Sequence, residues 1–543
     1  MVPEDIFSWY EANLPLKERK VRGHFSTPPP LVERILDACG YCPEYDLSQI
    51  RVLDPACGSG NFLAGVARRL VTSVSHLNLG RAALLSAAQR NIWGFDPDPV
   101  ACFLAEMQLR TILVDEPGVC ENTKQATPST DIIEEDQFSL HIHQADGLAF
   151  PWGEYEGIDL FLANPPYLAA KNSDLSCYSF AHRCGQADSY LLFLDLALRV
   201  VRPGGWIGLV LPDPVLARTN AARERRRLLK ETTVHALWHL SGVFSASVGA
   251  VVIVAQKSRP SSLHQICWSR EKWAVGAGLA TALNGPASTT LPRCILQSLL
   301  LQQTGAELRY LLSEVRGTLI EQLHALQYES LEADERRNFA ALGDLVAVRR
   351  GEELGKAHPS LLKTLPADRQ NWHPVLLGGI DVRPYAIPVG HSWIARDNIA
   401  KPLERYLAPK LLVVKSTGYL QAALDLQGYI VLQTLYLLNL YPGGTEDDLY
   451  FLLALLNSRL LREYVYVLYT AYKWVQPQIE QHVLAHLPVP VIDIPERSQI
   501  IRQAKLLIHA CSQQSSVVEF EKQCKEMYEE QERAICALYM HAL

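Results

Sequence analysis

The sequence predicts an α/β protein whose first half forms a mostly parallel sheet and whose second half contains a separate mixed α/β domain. Over residues 1–258, short β-rich runs alternate with helical patterns, which is typical of a parallel sheet covered by helices. This alternation stops over residues 259–340, which are predicted as a largely helical connector. Short β-like runs return over residues 341–493, and residues 494–543 are predicted as one or two C-terminal helices.

The elements of both domains follow from the hydrophobic periodicity. The predicted strands of the first domain are, in chain order, RVLDPA, NIWGFDP, SLHIHQAD, IDLFLANPP, WIGLVLP, ALWHL and AVVIVAQK. Helical patterns such as FLAGVARRL and SYLLFLDLALRVV lie between them, and the second meets a strong stop signal in the Arg-Pro-Gly-Gly of residues 202–205. In the second domain, LLVVKS and YIVLQTLYLLNL are predicted as strands and DDLYFLLALLNSRLLREYVYVLY as one long helix.

The composition is that of a globular chain without a strong charge bias. Of 543 residues, 48% are hydrophobic and 20% are charged, which excludes a disordered or collagenous chain. The net charge of −7 excludes a polybasic coat for nucleic acid, although it is compatible with a local basic face. The sequence shows neither a signal-peptide pattern nor an apolar run of the ~18 residues that a spanning helix needs. We therefore expect a cytoplasmic protein without membrane contact.

The cysteine pattern does not predict a metal site. Twelve cysteines are scattered without a repeated spacing. The Cys-x-x-Cys formed by Cys39 and Cys42 has no second pair to complete a zinc site. We expect reduced, mostly packed thiols and no metal requirement.

A glycine-rich turn between a strand and a helix is the first motif that carries chemistry. In the DPACGSG sequence of residues 54–60, Gly58 and Gly60 permit a tight turn that brings the backbone close to a bound small molecule. The Asp-Pro-Ala opening and the lack of a third correctly spaced glycine argue against a dinucleotide cradle, and no Walker-type phosphate loop occurs.

Aspartates follow the next two predicted strands. Asp96 could accept hydrogen bonds from both hydroxyls of a ribose, whereas a helix N-cap, which Asp98 could supply, needs no ligand. Asp146 could accept a hydrogen bond from the exocyclic amine of an adenine moiety, or it could be an ordinary turn aspartate. These residues alone leave both alternatives open.

The most informative motif is Asn164-Pro165-Pro166-Tyr167, which follows an apolar strand at the edge where open α/β sheets bind ligands. The two prolines stiffen the turn and remove backbone donors, so carbonyl oxygens face the docked group. The Asn164 side-chain oxygen and the Pro165 carbonyl form a two-acceptor site suited to an amine with two N–H groups. Tyr167 offers a flat face on which an aromatic base can stack. A purely structural turn rarely combines these features.

The order and content of these motifs resemble the adenine-N6 DNA methyltransferases of the TaqI-like, γ-ordered group, which use S-adenosylmethionine. The matching blocks are, in chain order, RGHFSTPPPLVERIL, DPACGSGNF, GFDPDP, QADG, NPPY, DLALRVVRPGGWIGLVLP and GVFSASVGAVVIVAQK. The segments VRRGEELGKAHP, LLGGIDVRPY, KPLERYLAPKLLVVKS, LLNSRLLREY and HLPVPV more weakly resemble the specificity domain of that family. The resemblance implies a Rossmann-like S-adenosylmethionine-dependent methyltransferase domain and a C-terminal mixed α/β target-recognition domain that binds double-stranded DNA.

The resemblance also implies a role for each matching residue. The implied cofactor-binding residues are Thr27 at the methionine part, Asp54 and the turn from Ala56 through Gly58 to Gly60 along the pocket, Asp96 at the ribose and Asp146 at the adenine amine. Asn164 and Pro165 would hold the target N6, and Pro166 completes the motif. Tyr167 and Phe244 would stack on the two faces of the target base, although Phe244 is also compatible with an ordinary core position.

One residue departs from the family pattern. Gly147 stands where the family often has a bulky residue, so Leu148 is the candidate for packing the cofactor adenine.

The expected mechanism is direct methyl transfer without a metal or a covalent intermediate. We expect the acceptors of Asn164 and Pro165 to favour a pyramidal N6 whose lone pair points at the sulfonium methyl. The target adenine must be flipped out of the duplex, which costs a few kcal/mol. Stacking on Tyr167 and Phe244, at ~1–3 kcal/mol per face, offsets much of this cost.

Positive charge is concentrated in two places. Within residues 218–230, the candidates for contact with DNA phosphates are Arg223, Arg225, Arg226, Arg227 and Lys230. A solvated helix face explains any single one of these arginines at least as well. Further candidates in the second domain are Arg349, Arg350, Lys356, Lys401, Arg405, Lys410 and Lys415.

The predicted function is site-specific methylation of adenine N6 in double-stranded DNA, as the modification enzyme of a restriction-modification or phage-defence system. The alternatives are an enzyme of the same type acting on RNA adenine or protein glutamine, and a catalytically inactive DNA-specificity subunit. A fused nuclease is disfavoured because few residues precede the first cofactor block. The expected partner is therefore a separately encoded restriction nuclease or another defence component. The recognised DNA sequence and the oligomeric state do not follow from the sequence.

Overall fold

The computed structural model describes residues 26–115, 138–152, 157–167, 175, 178, 188–244, 249–273, 288–328, 338–364, 370–388, 392–473, 477–492, 494–512 and 525–543. The RGHF start of the first cofactor block, up to residue 25, and the SASV of residues 245–248 lie outside the described residues. By its internal contacts the chain divides into two compact units, Met1–Tyr310 and Leu311–Leu543. Among the described helices, none combines the length and apolar character that crossing a bilayer requires.

The first unit is built on a ten-stranded sheet. Its strands are β1 (Val52–Asp54), β2 (Ile92–Asp96), β3 (His141–Gln144), β4 (Ile158–Ala163), β5 (Val201–Pro212), β6 (Thr233–Ser241), β7 (Ala250–Gln256), β8 (Gln265–Lys272), β9 (Ser288–Thr289) and β10 (Arg293–Leu296). The helices of this unit are α1 (Pro29–Ala38), α2 (Asn61–His76), α3 (Arg81–Asn91), α4 (Pro99–Asp115), α5 (Ser189–Val200), α6 (Ala222–Glu231) and α7 (Gln297–Gln302). Every strand predicted between residues 51 and 257 is present, which confirms the α/β fold class.

The strand order creates a switch point for ligand binding. The order is β3-β2-β1-β4-β5-β7-β6-β8-β10, with β9 paired to β8. Strands β1 to β5 run parallel, and β7 runs antiparallel to both β5 and β6. The direction in which successive strands are added reverses between β1 and β4, so a crevice is expected at their carboxyl ends. We call the carboxyl ends of β1, β2, β3 and β4 the switch-point edge.

Local sequence explains the central elements of this unit. All six residues of β4 are buried, as in a strand covered on both faces by helices. Helix α1 begins with a proline at its first position, where the missing N–H costs no hydrogen bond. Leu31 and Ile35 of α1 pack with Leu63 and Val66 of α2 and with Val52 of β1 in one buried cluster.

The sheet extends beyond the boundary predicted at residue 258. Strand β8 pairs in parallel with β6, with Ala236 opposite Cys267 and Ser241 opposite Lys272, and β10 adds to its outer side. The first part of the segment predicted as a helical connector is therefore the sheet edge of the first unit. Its short, charge-rich runs lack the continuous apolar residues that mark β4 and β7, which explains the difference from the prediction.

The second unit contains three small sheets. Its strands are β11 (Phe339–Ala341), β12 (Val346–Arg350), β13 (Leu361–Leu362), β14 (Trp372–Leu376), β15 (Ser392–Ala395), β16 (Lys410–Val414), β17 (Ala422–Asp425), β18 (Ile430–Val431), β19 (Leu435–Leu440) and β20 (Pro488–Pro490). The sheets have the orders β12-β19-β16-β17, β13-β15-β14-β18 and β11-β20. Val375 and Ile394 of the second sheet pack against Leu412, Val414 and Leu437 of the first, forming the core of this unit.

Helices complete the second unit. They are α8 (Leu319–Tyr328), α9 (Leu342–Leu345), α10 (Glu404–Leu407), α11 (Glu446–Asn457), α12 (Arg459–Val465), α13 (Gln481–Ala485), α14 (Pro495–Ser512) and α15 (Lys525–Ala542). The single long helix predicted from Asp447 onward is broken at Ser458, whose extended backbone starts a new helix and whose Oγ accepts a hydrogen bond from the Leu461 N–H at 3.2 Å. Apolar periodicity continues through the break, so the sequence pattern does not reveal it.

Candidate active site

The switch-point edge brings the predicted cofactor-binding and amine-binding residues together. Asp54 ends β1, Asp96 ends β2, and Asn164 directly follows β4. Asp146 comes two residues after β3. The register pairs Asp54 with Gly94 and Asp96 with Gln144, so the ends of these strands are neighbours along one edge.

The Asp96 carboxylate is fixed by backbone donors on both sides. The Gly58 N–H donates to Oδ2 of Asp96 at 3.1 Å, and the Asp98 N–H donates to Oδ1 at 2.8 Å. Oδ1 of Asp98 accepts from the Val100 N–H at 2.9 Å, so Asp98 caps the start of α4. The helix cap and the ribose-binding candidate are therefore two different residues.

Glycine is favoured at Gly58 and at Gly60 of the 54–60 turn for different physical reasons. Both adopt the left-handed conformation, with φ of +54° at Gly58 and +93° at Gly60. A Cβ at Gly60 would lie 2.9 Å from the Ala105 Cβ, so this glycine permits α2 and α4 to pack closely. A Cβ at Gly58 would meet no heavy atom within 4 Å, so its backbone borders open space.

Asp54 is a buried carboxyl with little support from the chain. It is 1% exposed, and its Oδ1 accepts from the Ala56 N–H at 3.1 Å. Burial raises the pKa of Asp54, the bond from Ala56 opposes this effect and the Asp96 carboxylate adds to it, so that the pKa reaches about 8. A ligand that carries positive charge or hydrogen-bond donors would stabilise its ionised form.

Thr27 presents a buried hydroxyl without a partner among the described residues. The residue is 3% exposed, and its Oγ1 makes no hydrogen bond there. Its carbonyl accepts from Nδ2 of Asn61 at 3.0 Å, which ties Thr27 to the first residue of α2, next to the glycine turn. Buried polar atoms are normally satisfied, so this hydroxyl indicates a ligand position.

Gly147 is required because the turn that follows β1 passes close to its backbone. A Cβ at Gly147 would lie 2.1 Å from the Pro55 carbonyl oxygen, so no larger residue fits this approach. The Gly147 carbonyl accepts from Nε1 of Trp152 at 2.7 Å. Leu148, the candidate for packing the cofactor adenine, is 6% exposed. The departure from the family pattern thus has a packing reason.

The Asp146 side chain already has two donors. Its Oδ1 accepts from the Leu148 N–H at 2.9 Å, and its Oδ2 accepts from the Tyr178 hydroxyl. Tyr178 was not among the residues that the sequence motifs single out, and no spacing signal marks it.

Helix α5 fixes the Asn164-Pro165-Pro166-Tyr167 turn through a hydrogen bond. The Ser189 hydroxyl, at the first position of α5, donates to the Pro166 carbonyl. The Tyr167 hydroxyl lies 3.5 Å from the Val210 carbonyl of β5. Burial raises the pKa of the Tyr167 phenol far above its usual value, and Asp213 raises it further. The phenol therefore stays neutral, and the motif has a fixed position.

Phe244 occupies a core position in the described structure. It is 7% exposed and belongs to the buried cluster that includes Val252 and Trp273. Of the two positions that the sequence allowed, the packing favours the ordinary core phenylalanine, and stacking on a base would require this ring to be uncovered.

Family comparisons agree with this geometry. The model of the N-6 DNA methylase family matches residues 4–272, and that of the TaqI-like C-terminal specificity domain matches residues 374–489. Residues 4–272 belong to the N-6 DNA methylase family. This confirms the family predicted from the motifs, and the specificity-domain match lies within the predicted 341–493 segment.

Curated relatives of the chain are bacterial methyltransferases. The Type II methyltransferase M.VspI of Vibrio sp. (strain 343) is 24% identical over 214 residues, covering 39% of this chain and 42% of that protein. The Type II methyltransferase M.XhoI of Xanthomonas vasicola is 27% identical over 210 residues, covering 35% of this chain and 34% of that protein. The matched part of the chain spans less than half of the length of each of these relatives.

Solved structures share the fold at low identity. The Type IIL restriction-modification enzyme MmeI in complex with DNA has a TM-score of 0.62 at 12% identity, covering 98% of this chain and 78% of that one. The DrdV–DNA complex has a TM-score of 0.52 at 12% identity, covering 92% of this chain and 58% of that one. At this identity the likeness is one of fold.

The arginine-rich segment is largely structural, and the prediction of a DNA contact for Arg225 is wrong. Arg225 is fully buried, and its guanidinium donates to the carbonyls of Gly305, Ala306, Val215 and Arg218 at 2.7–3.2 Å. A side chain enclosed in this way cannot reach a phosphate.

The other members of the segment differ in exposure. Arg227 is paired with Asp195 and with Glu231, and Arg226 donates to the Thr304 carbonyl at 2.7 Å. Arg223 and Lys230 have exposed side chains on α6. The DNA-backbone proposal for this helix therefore rests on Arg223 and Lys230.

In the second unit, the structure also removes Lys410 from the DNA-contact candidates. Lys410 and Asp425 form a fully buried ion pair, and Lys410 also donates to the Tyr406 carbonyl. Lys401 donates to the carbonyls of Arg350 and Gly351, and Arg405 is partly buried.

Two of the predicted cations share a cleft in the second unit. Arg350 and Lys415 line an open cleft of about 660 Å³, whose lining also includes the polar residues Gln478, Gln481 and His482 and the acidic Glu480. Burial lowers the pKa of Lys415, and the cations of Arg350 and Lys473 lower it further, against the opposing effect of Glu480. Arg349 and Lys356 are exposed elsewhere on this unit.

Proposed function

We propose that the chain methylates N6 of adenine in double-stranded DNA and acts as the modification enzyme of a restriction-modification or phage-defence system. The observation that carries the proposal is the Asn164-Pro165-Pro166-Tyr167 turn at the switch-point edge, next to the glycine turn and Asp96. The family and the Type II methyltransferase relatives support it.

The residues of the switch-point edge fit S-adenosylmethionine as methyl donor. Thr27 has a buried hydroxyl without a partner among the described residues, and Gly58 borders open space. Asp96 presents a preoriented carboxylate for the ribose hydroxyls, and Asp146 presents one for the adenine amine. When bound, the cofactor supplies an electrophilic methyl group on a positively charged sulfonium, which suits the unsupported carboxyl of Asp54.

The chain's own contribution to the chemistry is the orientation of the amine. The adenine amine is a poor nucleophile because its lone pair is delocalised into the ring. In our proposal the Asn164 side-chain oxygen and the Pro165 carbonyl accept its two N–H groups and favour a pyramidal nitrogen, whose lone pair is withdrawn from the π system of the ring. Ser189 fixes the adjacent Pro166 carbonyl, which limits the movement of the turn that carries these two acceptors.

The target base is proposed to reach this site by flipping. Tyr167 would stack on one face of the flipped adenine, and its hydroxyl contact with Val210 holds the ring in position. Phe244 would stack on the other face only if its ring, which lies in the core cluster, became uncovered on DNA binding. Replacing both rings by alanine is expected to reduce methylation of a paired adenine far more than that of a mismatched one, because stacking offsets the flipping cost. Equal losses on the two duplexes in a methyl-transfer assay would contradict the stacking role.

We propose that the second unit binds DNA phosphates in the open cleft of about 660 Å³ described above. Arg350 and Lys415 line that cleft, and phosphate contacts from such residues give a salt-dependent affinity. Replacing both Arg350 and Lys415 by alanine is expected to lower the slope of log Kd against log salt concentration by roughly 2. An unchanged slope would exclude the cleft as a phosphate site.

Two single substitutions test the methylation proposal. Asn164→Ala should abolish methyl transfer to duplex DNA while retaining cofactor affinity in calorimetry, because Asn164 is assigned to the amine. Asp96→Ala should lose cofactor binding itself, because Asp96 is assigned to the ribose. Full activity of Asn164→Ala would refute the amine-binding role. If the wild-type protein instead methylated RNA adenine or a protein glutamine and left duplex DNA unmodified, the proposed substrate would be wrong.

The companion nuclease is a further part of the proposal. Cells that express the methyltransferase should be protected from a separately encoded nuclease that cuts the same DNA sequence. Sequencing that detects N6-methyladenine in genomic DNA would give this sequence. Absence of the modified base in such cells would argue against the role in restriction-modification.

A further inference from the structure

Two cysteines far apart in the sequence meet across the outer strands of the first unit's sheet. Cys267 lies in β8 and Cys294 lies in β10, directly opposite each other in the antiparallel ladder. Their sulfur atoms are 3.5 Å apart. Both residues are exposed to solvent.

The Cys-x-x-Cys of the sequence is a poorer dithiol by comparison. Cys39 is 3% exposed, and burial raises its pKa far above the usual value. Burial also raises the pKa of Cys42, whose neighbours Asp37 and Glu44 add to the effect. A thiol as buried as that of Cys39 is out of reach of a disulfide in solution, whereas Cys267 and Cys294 are both exposed. The spacing signal and the spatial pair therefore point to different cysteines.

We propose that Cys267 and Cys294 form an accessible dithiol that closes to an intramolecular disulfide by exchange with a low-molecular-weight disulfide such as glutathione disulfide.

The register makes this closure geometrically easy. Directly opposed residues of an antiparallel pair have Cβ atoms ~4.5–5.5 Å apart, and a disulfide needs ~3.5–4.5 Å. The sulfurs are already in contact, so a rotation of the side chains and a small approach of the edge strand are sufficient. Partial burial raises the pKa of Cys267, and the hydrogen bond and the charge of Cys294 raise it further, so the two thiols interact before any oxidation.

The exchange balances in two steps. The thiolate of one cysteine attacks a sulfur of glutathione disulfide, forms a mixed disulfide and releases one glutathione thiolate. The thiolate of the second cysteine attacks the protein sulfur of that mixed disulfide, forms the Cys267–Cys294 bond and releases a second glutathione thiolate. The protein loses two electrons, glutathione disulfide gains them, and the two thiol protons pass to the released glutathione molecules.

The bond would fasten the outer strand to the rest of the sheet. Strand β10 pairs with β8, and β8 also carries Glu271, whose buried carboxylate is bound by Arg34 of α1. Closing the loop between Cys267 and Cys294 restricts the unfolded chain, which is expected to raise the melting temperature of the oxidised protein by about 5 °C.

Peptide mapping of the full chain tests the proposal. The protein is equilibrated with glutathione disulfide, free thiols are blocked by alkylation, and the unreduced digest is analysed by mass spectrometry. We expect a linked peptide pair containing Cys267 and Cys294, which disappears on reduction. Recovery of both cysteines as alkylated thiols, or as separate mixed disulfides with glutathione, would overturn the proposal.

Two serine variants serve as controls. In Cys294→Ser the exchange should stop at the first step, leaving glutathione on Cys267 and no shift in melting temperature. Cys42→Ser removes half of the Cys-x-x-Cys and should leave the linkage intact. Loss of the linkage in Cys42→Ser would show that the structure has identified the wrong pair.

Discussion

Replacing Arg225 by methionine separates a structural role from a DNA-binding role. Arg225 lies in the arginine-rich α6, but its guanidinium is buried and donates to four backbone carbonyls. Burial lowers its pKa to about 10, so the side chain is still charged at neutral pH. The acceptors include Gly305 and Ala306, and Ala306 has a left-handed backbone with φ of +48°. The Arg225 guanidinium therefore stabilises a turn at residues 305–306 whose left-handed conformation is unfavourable for alanine.

The size of the effect follows from the number of acceptors. A buried carbonyl left without its donor costs ~1–3 kcal/mol, and hydrogen bonds to a charged group lie at the upper end of this range. Methionine fills much of the arginine volume but satisfies none of the acceptors of Arg225. With partial relaxation of the turn, we expect a loss of about 4 kcal/mol, which is a drop of about 6 °C in the melting temperature of the first unit.

Denaturation and DNA binding measured side by side test this reasoning. Arg225→Met should lower the melting temperature without changing the salt dependence of DNA binding by the folded protein. Arg223→Ala, two residues away with an exposed side chain, should change stability by no more than about 0.5 kcal/mol. A stable Arg225→Met protein with weakened DNA binding would refute the structural role.

Three other substitutions follow from buried or crowded positions. Burial raises the pKa of Asp54 to about 8 against ~3.9 when unfolded, so its stabilising effect is complete below pH 4 and is lost as the pH rises to 8. Asp54→Asn should flatten this loss in cofactor-free protein unfolded with urea at several pH values. Gly147→Ala should weaken cofactor binding at least tenfold in calorimetry, whereas Gly80→Ala, where a Cβ meets nothing within 4 Å, should leave it unchanged. Lys410→Met should destabilise the second unit by ~3 kcal/mol in thermal melts, because it leaves the buried Asp425 carboxylate with backbone donors but without its counter-charge.

The switch-point edge could be predicted from the sequence because its residues lie next to one another along the chain. A glycine turn after β1 and an asparagine after β4 are local patterns, and the carboxyl ends of parallel strands must share an edge. The same reasoning gives the strands of the first sheet up to β7. A continuous apolar run marks a strand buried on both faces, and apolar-polar alternation marks a strand buried on one face.

Residues whose roles depend on distant partners could not be predicted in this way. Arg225 and Lys410 look like surface cations in the sequence, and only the fold shows that Gly305 and Asp425 enclose them. Ser189 is 23 residues from Pro166, and no spacing rule connects the two. Charge in a sequence indicates a solvated side chain by default, so buried charges are the systematic exception.

The polar groups of the switch-point edge indicate that its architecture serves binding more than stability. Asp54 is buried with a raised pKa, and the Thr27 hydroxyl has no partner among the described residues. Groups of this kind cost free energy in the absence of a ligand, because a buried polar atom loses its water without replacement. A cofactor that satisfies them recovers this cost on binding and stabilises the folded state in proportion to its concentration over Kd. The same groups that lower stability without a ligand therefore increase the affinity for the cofactor.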